Sequence, residues 1–100
     1  MTWGHYNPRM PIDYVAIDLE TTGLNADRDA IIELAAVRFG AGGVTDTFQS
    51  LLRPAVQVPL RVLQLTGISA PDLAMAPAPS DVLPAFADFI GDRLLVGHSI

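Results

Sequence analysis

One hundred residues, half of them hydrophobic, are enough for one globular domain with a real core. The absence of cysteine excludes disulfides and thiolate metal sites and fits a cytoplasmic setting. A net charge of −5, with six arginines scattered from Arg9 to Arg93 and no lysine, excludes the basic patch of a protein that coats nucleic acid by neutralising phosphates; it leaves open an acidic site that meets phosphate through bound cations.

Residues 1–12 hold Trp3, Gly4, Pro8 and Pro11 but no basic start followed by an apolar run, so they read as a flexible tail and not as a secretory signal, with the domain occupying 13–100. The apolar stretches, such as 30–36, are short and interrupted by charge, which predicts no membrane span. Residues 14–19 are rich in β-branched and large apolar types and run into Thr21, Thr22 and Gly23, the pattern of a buried strand entering a loop. A polar turn is expected at 25–29. The apolar run 31–39 is compatible with strand or helix, Ala35 and Ala36 leaving both open. The break Gly40-Ala41-Gly42-Gly43, followed by a Thr- and Val-rich run over 44–52, favours a hairpin and hence three antiparallel strands.

Pro54 and Pro59 lead to a short helix over 60–65 that Gly67 can end in a left-handed conformation. With three prolines, 71–79 is expected to be a connector without regular structure. Asp81 is the expected cap of the next helix, which puts Pro84 in the first turn. Val82, Phe86, Phe89 and Ile90 form its apolar stripe and Gly91 closes it. A further strand begins at 94–96. The order strand, strand, strand, helix, helix, strand predicts an α/β sheet with an antiparallel meander at its front. A last strand with no following helix to cover it suggests truncation.

Asp18 and Glu20 stand two residues apart at the end of the first predicted strand, so both side chains project from one face while Val15, Ile17 and Leu19 project from the other. Two carboxylates on one sheet edge suit a hard divalent cation such as Mg²⁺ or Mn²⁺. The same spacing also describes an ordinary solvated polar face. The apolar run around the pair favours the cation, because uncompensated buried carboxylates are costly.

The run Ala16-Ile17-Asp18-Leu19-Glu20-Thr21-Thr22-Gly23-Leu24 resembles the first motif of the DEDD-type 3′–5′ exonuclease superfamily, the group of polymerase proofreading subunits, RNase T and oligoribonuclease. Ile31-Ile32-Glu33-Leu34-Ala35-Ala36-Val37 is similar to that family's second strand, Leu65-Thr66-Gly67-Ile68 to the helix exit beside its nucleotide site, and Leu95-Val96-Gly97-His98 to the start of its second motif. The resemblance spans nearly everything from Tyr14 to Ile100, in order. It implies a ribonuclease H-like mixed sheet, truncated after the fourth strand, and two-metal hydrolysis of nucleic-acid 3′ ends to nucleoside monophosphates with Mg²⁺ or Mn²⁺. Asp18 and Glu20 would be the catalytic metal ligands; Thr21, Thr22, Gly23, Leu24, Leu65, Thr66 and His98 would bind the terminal nucleotide. Glu33 is read as a structural or surface acid and not as a ligand.

Ser99 follows His98 where the family usually has asparagine, and the family's third and fourth carboxylates and general-base histidine fall later than Ile100. The 100-residue chain alone is therefore expected to be inactive. The implied partners are single-stranded 3′ ends and a DNA polymerase or a fused helicase, with no membrane. A second reading is a non-catalytic truncated or degenerate domain that binds a polymerase or nucleic acid. A third is an unrelated acidic α/β protein holding a structural ion.

Overall fold

The computed structural model describes residues 13–23, 25 and 28–97. The expected tail, together with Leu24, His98 and Ser99, lies outside the described residues. The chain forms β1 (Tyr14–Thr21), β2 (Ile31–Gly40), β3 (Gly43–Leu51), α1 (Leu60–Thr66), α2 (Ala70–Ala74), α3 (Pro79–Ile90) and β4 (Leu94–Gly97). The four strands make one mixed sheet in the order β3-β2-β1-β4. The three-strand meander is antiparallel, as the glycine break predicts, and β4 joins the free edge of β1 in parallel.

Alternation along the strands assigns the faces. Val15, Leu34 and Ala36 project into a core closed by Val82, Phe86 and Phe89 of α3, and Phe48 of β3 packs at a tilt against both phenylalanines at centroid separations of 5.4 and 5.5 Å. Arg38 ties α3 to this face. Its Nε donates to the Phe89 carbonyl at 3.0 Å, its guanidinium lies 4.2 Å from the Phe89 ring centroid, and Asp46 pairs with it at 3.7 Å. A cation from the sheet thus meets the carbonyl end of a helix whose last turn has no basic residue of its own. At the far end of the sheet a register shift between Glu20 and Thr21 leaves Ile32 without a partner on β1. Ile32 is fully buried in a second cluster with Val62 of α1 and Leu73 of α2, so α1 and α2 sit at the end of the sheet where β1 finishes.

The helical region differs from the sequence expectation in two places. Residues 71–79 are not all connector, because α2 forms at Ala70–Ala74. The Ser69 hydroxyl accepts from the Asp72 N–H at 3.1 Å, and Pro71 occupies the first turn, where its missing N–H costs nothing. The signal was the Ser69-Ala70-Pro71-Asp72 run, hidden among three prolines. Asp81 is also not the cap of α3. That helix starts at Pro79, with Ala78 at the cap position, which places Asp81 in the first turn and Pro84 inside the helix. Ser80 and Pro84 are both exposed, so water can take the carbonyl that proline leaves unbonded. Gly67 does end α1 as expected, at φ 75°, its N–H bonded to the Leu63 carbonyl.

Among the described residues no helix is long and apolar enough to cross a membrane. Leu94, Leu95 and Val96 of β4 are exposed, and so is Val44 at the start of β3. The chain is therefore expected to bind a hydrophobic dye while folded; a monomer that binds none would contradict this exposure. In denaturant titrations Phe86→Ala should cost about 3–5 kcal/mol through lost burial and a residual cavity. Leu65→Ala, at a position 79% exposed, should stay within about 0.5 kcal/mol.

Candidate active site

The register of β1 against β2 pairs Asp18 with Ala35 and Glu20 with Glu33, so both predicted ligands stand on the sheet face opposite α3. Asp18 is exposed and Glu20 half-buried. Ala16 and Ala35 beside Asp18 are small, and with Val37 they line a shallow groove of about 220 Å³. Nothing bulky from the sheet crowds the first carboxylate. The donor set is two hard oxygen ligands at the end of a strand, which suits Mg²⁺ or Mn²⁺ in type. Among the described residues no three acids or histidines converge on a common point.

Glu33 illustrates why. It stands directly across from Glu20, a like-charge pairing that costs stability. Its carboxylate accepts a hydrogen bond from the Gln49 amide of β3. That bond engages the Glu33 carboxylate with the neighbouring strand, in keeping with a structural role.

The connection from β1 to β2 carries the expected nucleotide-binding residues, and the structure gives them unequal parts. The Thr21 hydroxyl donates to the Gly23 carbonyl at 2.8 Å. Thr22 is only 7% exposed; its hydroxyl donates to Asp29 Oδ1 at 3.0 Å and accepts from the Ala30 N–H at 2.9 Å. Its backbone N–H also donates to the Ala30 carbonyl, at 2.9 Å. The Thr22 side chain is thus committed to closing the loop. Gly23 has no left-handed φ, so a turn conformation is not what requires glycine here. A Cβ at this position would lie 2.5 Å from Asp29 Oδ2 and 2.8 Å from its Cγ. A side chain here would require the Asp29 carboxylate to move, against the bonds that hold it to Thr22 and Asn25. Asp29, read from the sequence only as part of a polar turn, is the residue that sequence reasoning missed. Its signal is a bond to a residue seven positions earlier, which no periodicity reports.

Leu65 and Thr66 close α1. Leu65 is largely exposed and takes no part in the core. The Thr66 hydroxyl is engaged within the helix end, donating to the Val62 carbonyl at 2.8 Å and accepting from the Ile68 N–H at 3.2 Å. Because Val62 packs on Ile32, next to Glu33 and hence to the level of Glu20, α1 stands at the same end of the sheet as the two carboxylates. Gly97 of β4 pairs with Ile17, so β4 also finishes level with Asp18; His98 comes next and lies outside the described residues. Three chain segments from distant parts of the sequence therefore meet at the end of β1.

Comparison with known proteins agrees with this arrangement. The family model described as Exonuclease matches residues 15–100. DNA polymerase III subunit epsilon of Aquifex aeolicus is 41% identical over 87 residues, covering 87% of this chain and 43% of that protein. The PolC-type DNA polymerase III of Bacillus subtilis is 43% identical over 86 residues, covering 86% of this chain and 6% of that protein. The chain thus spans less than half the length of either relative. In fold it is similar to the SSB/exonuclease I structure solved with an inhibitor, at a TM-score of 0.77 and 15% identity over 90% of this chain and 22% of that one. With the family match running over residues 15–100 and two relatives above 40% identity, this chain belongs to the DEDD exonuclease family.

Proposed function

We propose that this chain is the metal-carrying front of a 3′–5′ exonuclease domain that releases nucleoside 5′-monophosphates from single-stranded 3′ ends. The observation that carries the reading is the placement of Asp18 and Glu20 on one open face, at the end of the central strand, within the stretch shared with the family. Asp18 and Glu20 would hold Mg²⁺ or Mn²⁺, which when bound neutralises phosphate charge and makes water a stronger nucleophile. The chain's other residues then bind and orient. The backbone at residues 21–23 offers polar groups to the terminal nucleotide, and Leu24 and His98 belong to the same pocket by family position. The exposed Leu65 gives an apolar surface for the terminal base or sugar, backed by the rigid end of α1 at Thr66.

The relatives' names support a DNA polymerase as partner, and with it a cytoplasmic place of work. A polymerase-fused or helicase-fused parent would use the module in the same way. The two-carboxylate donor set supports a second statement: among the described residues no third acid or histidine joins Asp18 and Glu20 to fix a second cation or to deprotonate water, so catalysis would draw on the family's later motifs.

A 3′-end digestion assay on a 5′-labelled single-stranded oligonucleotide with Mn²⁺ tests both statements. The chain alone should release mononucleotides negligibly, and the chain extended by the later motifs should be active. Asp18→Ala in the extended protein should lower the rate by about a hundredfold or more. Metal-dependent release by the 100-residue chain itself would overturn the second statement. An extended protein that is folded and inactive would overturn the first and favour a non-catalytic domain.

A further inference from the structure

We propose that Asp29 is a positioning residue of this site, whose carboxylate holds the corner at residues 21–23 in the shape that receives the terminal nucleotide; this rests on the exonuclease reading above. Its two oxygens do separate work. Oδ1 accepts from the Thr22 hydroxyl at 3.0 Å, and Oδ2 accepts from the Asn25 N–H at 2.8 Å. The backbone of the same residue donates to the Asn25 carbonyl at 2.7 Å. Thr22 in turn is bonded twice to Ala30, through its hydroxyl and its N–H. The result is a closed set of bonds that ties the last residues of β1 to the first of β2, with one ionised group at its centre.

Hydrogen bonds to a carboxylate are the stronger kind, and this one is shielded on one side by the buried Thr22. Both oxygens accept from the loop's own donors, so the charge is engaged with the loop. Gly23 packs directly over the carboxylate, at a separation that would not admit a Cβ. The path of the backbone at the expected nucleotide contact is therefore set by Asp29, about ten residues from the metal pair in sequence but joined to it by β1. A loop held in its bound shape loses less freedom when the ligand arrives, which appears as tighter binding.

The experiment titrates the chain with Mn²⁺ alone and with thymidine 5′-monophosphate in the presence of Mn²⁺. It compares the parent with Asp29→Ala, Asp29→Asn, Gly23→Ala and the Gly23→Ala/Asp29→Ala pair, each checked for a cooperative melt. Asp29→Ala should weaken nucleotide binding about tenfold while Mn²⁺ affinity stays within about twofold. Asp29→Asn, which keeps one acceptor oxygen, should fall between and carries the same test if the alanine variant does not fold. Gly23→Ala should weaken nucleotide binding in the parent but add little in the Asp29→Ala background, where the obstructing carboxylate is gone. Equal nucleotide affinity in the parent and both Asp29 variants, or parallel loss of metal and nucleotide, would overturn the positioning role alone. A folded parent that binds Mn²⁺ but no nucleotide would overturn the positioning role and leave the exonuclease reading to the digestion assay on the extended protein.

Discussion

Hydrogen bonding along both edges of β1 governs where every other group lands. The strand is antiparallel to β2 on one side and parallel to β4 on the other, so it cannot slip by one residue without breaking two ladders. Such a slip would also turn Val15 to the open face and drive Asp18 under α3, against Leu34, Ala36 and Phe86. Burying a carboxylate there without a partner would cost several kcal/mol or force it to take up a proton. The open placement of Asp18 and Glu20 is thus a consequence of the apolar core beneath them. The stability of the α3 face and the direction of the acid pair are one constraint seen from two sides.

Beyond Glu20 the regular ladder gives way, and the chain is held by specific side chains. Ile32 is left out of the pairing with β1 and becomes the anchor for α1 and α2. Thr22 and Asp29 close the connection that regular pairing no longer holds. Four acids lie near this end of the sheet and differ in placement. Asp18 and Glu20 stand on the open face, Glu33 is bonded to Gln49, and Asp29 is bonded within its own loop. Residue type alone would not separate these roles.

Much of the fold was legible because it rests on short-range rules. Alternation in 14–19, the glycine break at 40–43, the left-handed Gly67 and the Val82, Phe86, Phe89 and Ile90 stripe each reported an element that the structure contains. The failures arose where local signals competed. Three prolines masked the short Ser69-capped helix, and a polar residue near Pro84 looked a better cap than Ala78, although Pro79 was already shaped for the first helical position. The acid pair was legible by spacing and by family likeness. The bonds of Asp29, and its close approach to position 23, are contacts across the loop and emerge only from the folded chain.

The claim on which the rest turns is that Asp18 and Glu20 share a cation on the open face of β1. Paramagnetic broadening of backbone amide resonances by substoichiometric Mn²⁺ addresses it directly, since the effect falls steeply with distance from the bound ion. Broadening should centre on Asp18, Leu19 and Glu20, extend across the ladder to Glu33, Leu34 and Ala35, and vanish in a folded Asp18→Ala/Glu20→Ala variant. Broadening centred elsewhere, for example near Asp13 and Asp92 at the opposite end of the sheet, or an unchanged pattern in the double variant, would contradict it.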